Sequence, residues 1–526
     1  MKYSYYERLT AIDTTFVDLE DASTHMHVGG VSLFDAGPML QSDGTVDIDR
    51  IRRLVEAAIH RVPRYQQRLA FIPVFRHPVW VDDPSFNLNY HIRHVALPKP
   101  GDERLLKRLT GRIMSQQLDR GKPLWELWVV EGLEGDRVAL ISKAHHCMID
   151  GVGSVELTGA LIRATPELER AMQNPVRWIP RPAPSPLELF LGELQRRAEE
   201  PFPLLGAVGR ALTKPRATLD AFRDALSGVG EALGAGLRPA SPTPLNADIG
   251  PHRRFDWLDM DLTVIKEVKN RLGGTVNDVV LCVVAGALGR FLHSRGLHTE
   301  DLNFRAMIPV NVRTEAQRER LGNQVSMMLA RLPLEERDPQ RRLERVIEIT
   351  GALKRSKQAQ GVHTLQIISD WTLTTLFEAF ARLSTSTRPY NVVVTNVPGP
   401  QFQSYFLGAP MRAIYPLVPL NRNQALGIAL FSYNGGLFWG FNADWDAVPD
   451  LHEVVEAVAR EFDLLRKVAT EAPIEVSSGA RPAAKSKAAK HTKAVHRHAN
   501  GANGDASKHA AARRHQAKRT SPRVTV

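Results

Sequence analysis

The sequence predicts a mixed α/β (α+β) protein built as two halves, and three observations carry that prediction. β-prone runs and helical patterns alternate in two separate stretches of the chain. Between those stretches lie two proline-rich connectors, Trp178-Ile-Pro-Arg-Pro-Ala-Pro-Ser-Pro186 and Arg238-Pro-Ala-Ser-Pro-Thr-Pro244. The 526 residues, 43% of them hydrophobic, also exceed what one apolar core accommodates. The divisions that follow are a first half over 1–172, a proline-rich and amphipathic helical connector over 173–250, a second half over 251–470 and a basic tail over 471–526.

In the first half, Asp13-Thr-Thr-Phe-Val-Asp-Leu-Glu20 leads to a strand-like run, His27-Val-Gly-Gly-Val-Ser-Leu-Phe34, and a helical pattern follows near Ile51–Val62. Arg137-Val-Ala-Leu-Ile-Ser-Lys-Ala144 is β-prone and mostly apolar. Gly151 and Gly153 then break the strand and release a helical pattern near Ser154. In the connector, Leu189, Phe190 and Leu194, then Leu204, Leu205, Val208 and Leu212, recur at helical spacing, with Pro201 and Pro203 separating two helices. Packing on the body is the favoured reading, and a helix pair in a lipid interface is the other.

The second half opens with a strand within His252–Leu262. Asn277-Asp278 stand before an apolar helix at a capping position, where such side chains satisfy free backbone N–H groups. The longest apolar run, Val279–Leu288, falls far short of the ~20 residues a membrane span needs, so no spanning helix is expected. Tyr390-Asn-Val-Val-Val-Thr-Asn396 reads as a short buried strand ended by Val-Pro-Gly-Pro400.

Charge weighs against one function class. Of 68 Lys/Arg and 57 Asp/Glu, 12 and one respectively lie in 479–526, so 56 of each remain before it. The body is balanced and the whole excess of +11 belongs to a tail without aromatic residues, which reads as disordered. Such a tail suits anionic lipid, nucleic acid through counterion release or no dedicated partner at all, and the neutral body argues against a nucleic-acid-binding protein. The N-terminus lacks the apolar stretch of a signal peptide and two cysteines cannot build a disulfide framework, so the expected compartment is the cytoplasm.

The most informative feature is Lys143-Ala-His145-His146-Cys147-Met148-Ile149-Asp150-Gly151. A histidine at a strand exit can take a proton from a hydroxyl near neutral pH. Neighbouring residues of a strand point to opposite faces, so only one of the pair faces a reaction centre easily. His146 is the candidate base, and His145 is left to packing or a secondary substrate contact. Asp150 before Gly151 fixes a tautomer, holds the loop through an arginine or makes a local Asx bond. A metal site fails on ligand count, since Cys147 has no second cluster and Cys282 sits in an apolar run. Nothing marks Cys147 as an activated thiolate.

These nine residues resemble the HHxxxDG signature of the CoA-dependent acyltransferases. With Pro123-Leu-Trp125, Asn277-Asp278, Arg305-Ala-Met-Ile-Pro-Val310 and Asn396-Val-Pro-Gly-Pro400 in order, the chain resembles the bacterial wax ester synthase/diacylglycerol acyltransferase family over Leu9–Leu465. The resemblance implies two chloramphenicol-acetyltransferase-like halves with the active-site channel between them. It also implies that a segment like the one ending at Pro400 crosses from one half to the other. The implied chemistry is direct transfer of a long-chain acyl group from acyl-CoA to diacylglycerol or a fatty alcohol, without acyl-enzyme, metal or cofactor. His146 is then the general base, Asp150 and Gly151 organise the loop, and Asn277, Thr395 and Asn396 are candidates for a polar wall. Peripheral contact with a membrane or lipid droplet fits such substrates. The competing reading is a catalytically silent lipid-surface protein of the same fold, against which the intact His146, Asp150, Gly151 and Asn277 argue.

Overall fold

A computed structural model describes residues 5–148, 157–167, 178–199, 239–311, 325–355 and 388–471. The first half runs β1 (Glu7–Arg8), α1 (Ala11–Leu19), β2 (His27–Asp35), α2 (Ile48–Ala58), β3 (Gln67–Phe71), β4 (Pro78–Asp82), α3 (Leu88–His91), β5 (Ile92–Ala96), α4 (Glu103–Met114), β6 (Trp125–Leu133), β7 (Arg137–His145) and α5 (Leu157–Leu161). After α6 (Pro186–Glu199) come β8 (Arg253–Asp261), α7 (Leu262–Leu272), α8 (Val276–Ser294), β9 (Arg305–Asn311), β10 (Val325–Arg331), α9 (Pro339–Arg355) and β11 (Val392–Pro398). The chain closes with β12 (Tyr405–Phe406), β13 (Ala409–Leu417), β14 (Leu426–Tyr433), β15 (Gly436–Asp444) and α10 (Leu451–Glu471).

Two six-stranded mixed sheets organise the halves, in the orders β12-β13-β2-β7-β6-β5 and β10-β9-β11-β14-β15-β8. Each sheet has its own apolar core. The expected crossing between halves exists, but the segment ending at Pro400 does not make it. Val392–Pro398 stays in the second sheet, parallel to β9 and β14. The chain crosses only afterwards, as β13 pairs antiparallel with β2 and its Ala413, Tyr415 and Leu417 enter the first core. Apolar alternation identifies a strand without naming the sheet it joins. β14 and β15 meet at Asn434-Gly435, both at positive φ (43° and 83°), as the two-residue turn that matches strand twist requires.

The apolar run Val279–Leu288 belongs to the longer helix α8, which by length and composition alone could cross a membrane. Here 14 of its 19 residues are buried, and it serves as the central helix of the second core. Its cap lies two residues before Asn277. Thr275 is the N-cap and forms a reciprocal capping box with Asp278, so Asn277 is left on the first turn.

α6 packs on a small sheet of order β1-β4-β3 through Leu189, with Phe190 against Phe75, as expected for a body-packed helix. Leu194, expected in the same stripe, faces outward and is 42% exposed, because the buried face is taken by Leu189 and the ion-paired Glu193. Leu204, Leu205, Val208 and Leu212 and the Pro201/Pro203 break lie outside the described residues, and of the helical pattern near Ser154 only α5, from Leu157, is described.

Candidate active site

The register of β2 against β7 builds the site. His27 pairs with His145 at one end and Asp35 with Arg137 at the other, so both strands end together. The His145 N–H donates to the Leu124 carbonyl (2.9 Å) and the His146 N–H to the Met26 carbonyl (2.7 Å). A 3-10 turn, His146–Met148, follows at once. The change from strand to turn at this bond sends the two imidazoles apart.

His145 turns inward and is 1% exposed. Its Nδ1 accepts the Cys147 N–H at 3.2 Å and lies 2.9 Å from Cys147 Sγ. Burial pushes the Cys147 thiol up, so the sulfur stays protonated and is no nucleophile. With Nδ1 accepting, the proton of the neutral ring belongs on Nε2, which faces Glu20 Oε2 at 3.6 Å. Burial lowers the His145 pKa to about 4. The first histidine is thus held by its own turn and by a carboxylate.

Glu20, the C-cap of α1, anchors this layer. Arg120 donates to its Oε2 from Nε (3.0 Å) and Nη2 (2.8 Å), and that Nη2 also reaches the Val17 carbonyl (2.8 Å). His27 Nε2 lies 3.4 Å from Glu20 Oε1, an ion-pair distance outside hydrogen-bonding geometry. Burial opposes the charge on Glu20, yet His27, His145 and Arg120 together hold its pKa at about 2. Burial takes His27 itself down to about 3. Lys143, on the same face of β7, sends Nζ to the carbonyls of Ile113 (3.0 Å) and Gln116, tying down the C-terminal end of α4.

His146 points the other way and keeps part of its surface accessible. Its ring stacks on Phe16 of α1, centroids 3.9 Å apart at 24°. Its buried Nδ1 has no hydrogen-bond partner among the described residues. Burial takes its pKa down to about 4, so the imidazole is neutral at pH 7 and able to accept a proton. Phe16 is placed by a well-capped helix, since Thr10 accepts the Asp13 N–H at 3.1 Å.

Asp150 and Gly151 lie outside the described residues. Asn277 and Asn396 are brought together from α8 and β11, with Asn396 Nδ2 donating to Asn277 Oδ1 at 2.7 Å. Thr395, beside them on β11, is half-buried. No hydrogen bond joins this group to His146 among the described residues. Sequence reasoning missed Phe16, Glu20, His27 and Arg120 as parts of the site. The only signal was that His27 opens strand β2, with Glu20 shortly before it, and that β2 pairs with the histidine strand.

The description "wax ester synthase/diacylglycerol acyltransferase catalytic domain" fits residues 9–280, and "WS/DGAT C-terminal domain" fits 321–466. A putative diacylglycerol O-acyltransferase of Mycobacterium tuberculosis H37Rv is 32% identical over 486 residues, spanning 89% of this chain and 91% of the relative. A probable diacylglycerol O-acyltransferase of the same strain is 28% identical over 467 residues, spanning 86% and 95%. Among solved structures, the wax ester synthase/diacylglycerol acyltransferase from Marinobacter aquaeolei VT8 superposes with a TM-score of 0.61 at 25% identity, covering 88% of this chain and all of that one. The starter condensation domain of rhizomide synthetase, at 12% identity and a TM-score of 0.53 over 89% of this chain and 95% of its own, shares the fold.

Proposed function

Because the chain belongs to the wax ester synthase/diacylglycerol acyltransferase family, we propose that it is an O-acyltransferase moving a long-chain acyl group from coenzyme A to diacylglycerol, a fatty alcohol or both, with His146 as general base. The observation that carries the assignment to His146 is the divergence of the pair. Both rings are neutral at pH 7, but His145 is engaged by Cys147 and Glu20, whereas His146 is partly accessible and stacked on Phe16.

The chemistry follows from that geometry. The acceptor hydroxyl gives its proton to the neutral imidazole as its oxygen attacks the thioester carbonyl, and a tetrahedral oxyanion forms. The imidazolium returns the proton to the sulfur as the carbon–sulfur bond breaks, so ester and free CoA thiol leave with the base restored. The oxyanion requires preorganised donors, each worth roughly 3–4 kcal/mol. Asn396 spends one amide hydrogen on Asn277, and the remaining three of the two amides suit that role. Such acceptors reside in lipid phases, so peripheral lipid contact belongs to the same reading, and the +11 tail suits an anionic surface.

Purified protein incubated with palmitoyl-CoA and either dioleoylglycerol or hexadecanol tests the reading, with free CoA thiol and lipid product followed together. Ester formation with either acceptor supports it and ranks the two. Thioester hydrolysis alone, or no turnover with either, favours the silent lipid-surface protein.

A further inference from the structure

An apolar groove of about 530 Å³ lies outside the His146 site, between α4, the end of β5 and the turn after β15. Leu105 and Leu109 of α4 form one wall, Val95 and Leu97 another, and Trp445, 40% exposed, closes the third. Neither Phe16 nor Met26, which hold His146, lines it. The volume and apolar lining fall in the range of small-molecule sites.

Its charge is one-sided. No acidic residue lines the groove, while Arg108 and Arg112 stand on its edge, one turn apart on the stripe that carries Leu105 and Leu109. The other basic residues nearby are occupied: Lys107 pairs with Glu103 and Asp256, Arg254 covers the Trp445 ring at 3.7 Å, and the buried Arg253 donates to the Gly250 carbonyl and lies 3.7 Å from Asp444. Arg108 and Arg112 are exposed and have no carboxylate partner among the described residues. An apolar trough edged by two uncommitted guanidiniums matches a single-chain amphiphile with an anionic head, since guanidinium binds carboxylate through paired N–H donors.

We propose that this groove binds a free long-chain fatty acid, its chain along Leu105, Leu109 and Trp445 and its carboxylate on Arg108 and Arg112. The site is separate from the acyl-transfer centre, and its test does not depend on turnover. The full chain is irradiated with a diazirine-bearing palmitic acid analogue, and adducts are mapped by mass spectrometry, beside the corresponding diazirine alcohol. The proposal expects adducts of the acid on the 95–98, 105–112 or 445 peptides. It expects roughly tenfold weaker labelling there in Arg108→Gln/Arg112→Gln, about 1.4 kcal/mol, and a smaller loss in Arg108→Lys/Arg112→Lys, which keeps the charge but not the paired donors. Acyl transfer should be unchanged in both variants, whose substituted side chains are exposed. Adducts only on other peptides would overturn it. So would equal labelling by the acid and the alcohol, or labelling indifferent to the glutamine substitutions.

Discussion

Phe16→Ala separates the two effects that the stacked ring has on His146. Burial holds this imidazole at about 4 rather than 6.5, and Phe16 covers one of its two faces at 3.9 Å. That difference corresponds to about 3 kcal/mol between the charged and neutral forms. Opening one face to water recovers part of it, on the order of one unit. Lost stacking costs a further ~0.5–1.5 kcal/mol of orientation, up to about tenfold in rate. The sign is fixed by the base: protonation disables it, so activity falls as pH falls through the pKa. Wild-type kcat/KM should therefore stay level from pH 8 to about 5 with a midpoint near 4, and Phe16→Ala should show a lower plateau with its midpoint near 5. The profile is measured by mass-spectrometric quantification of released CoA, with circular dichroism at each pH to exclude unfolding. A lower plateau with an unmoved acidic limb would refute the idea that Phe16 desolvates the base.

Glu20→Gln should destabilise the protein at pH 7 by up to about 3 kcal/mol, because the carboxylate is held near 2 instead of 4.5. That contribution is present above pH 4.5 and lost as pH falls toward 2, so the gap in urea midpoint between wild type and variant should close in acid; equal midpoints at pH 7 would count against the Glu20 anchor. Asn396→Ala should lower kcat by about 10²–10³ with little change in KM for acyl-CoA, a split that an oxyanion donor produces and a mere turn residue does not. A chain ending at Ser478 should keep its turnover on detergent-dispersed substrate and lose the salt-sensitive preference for anionic over neutral vesicles in co-sedimentation, whereas identical binding by both forms would leave the tail without that role.

The two halves, the strand that ends at His145 and the different fates of the two histidines were legible because each rests on local pattern. Hydrophobic alternation marks β2, β7 and β11; the sequence expected alternation within a strand to separate His145 from His146, whereas the strand ends at His145 and the 3-10 turn opening at His146 parts them. The surroundings of the pair were not legible, because Phe16 reaches His146 and Glu20 reaches His145 across more than a hundred residues, and Arg120 joins the layer only through Glu20. The β13 crossing was missed for the same reason: an apolar strand fits either sheet until its neighbours are known. The cap of α8 was placed too late because Asn277-Asp278 carry residue types that suit a cap, while the geometry chose Thr275 and used Asp278 three residues on. Leu194 kept helical spacing and still faced solvent, since spacing sets a face and the ion pairs of Glu193 decide which face is buried.

The central claim is that His146 alone of the pair is the base. Acyl transfer by purified His146→Ala and His145→Ala, with fold checked by thermal unfolding, tests it most directly. His146→Ala should be inactive at wild-type melting temperature, since its ring makes one stacking contact and no side-chain hydrogen bond among the described residues. His145→Ala should melt earlier, having lost its place beside Cys147 and Glu20, and should retain measurable turnover below its melting point. Folded His146→Ala with more than a few per cent of wild-type turnover, or a stable His145→Ala without any, would contradict the account.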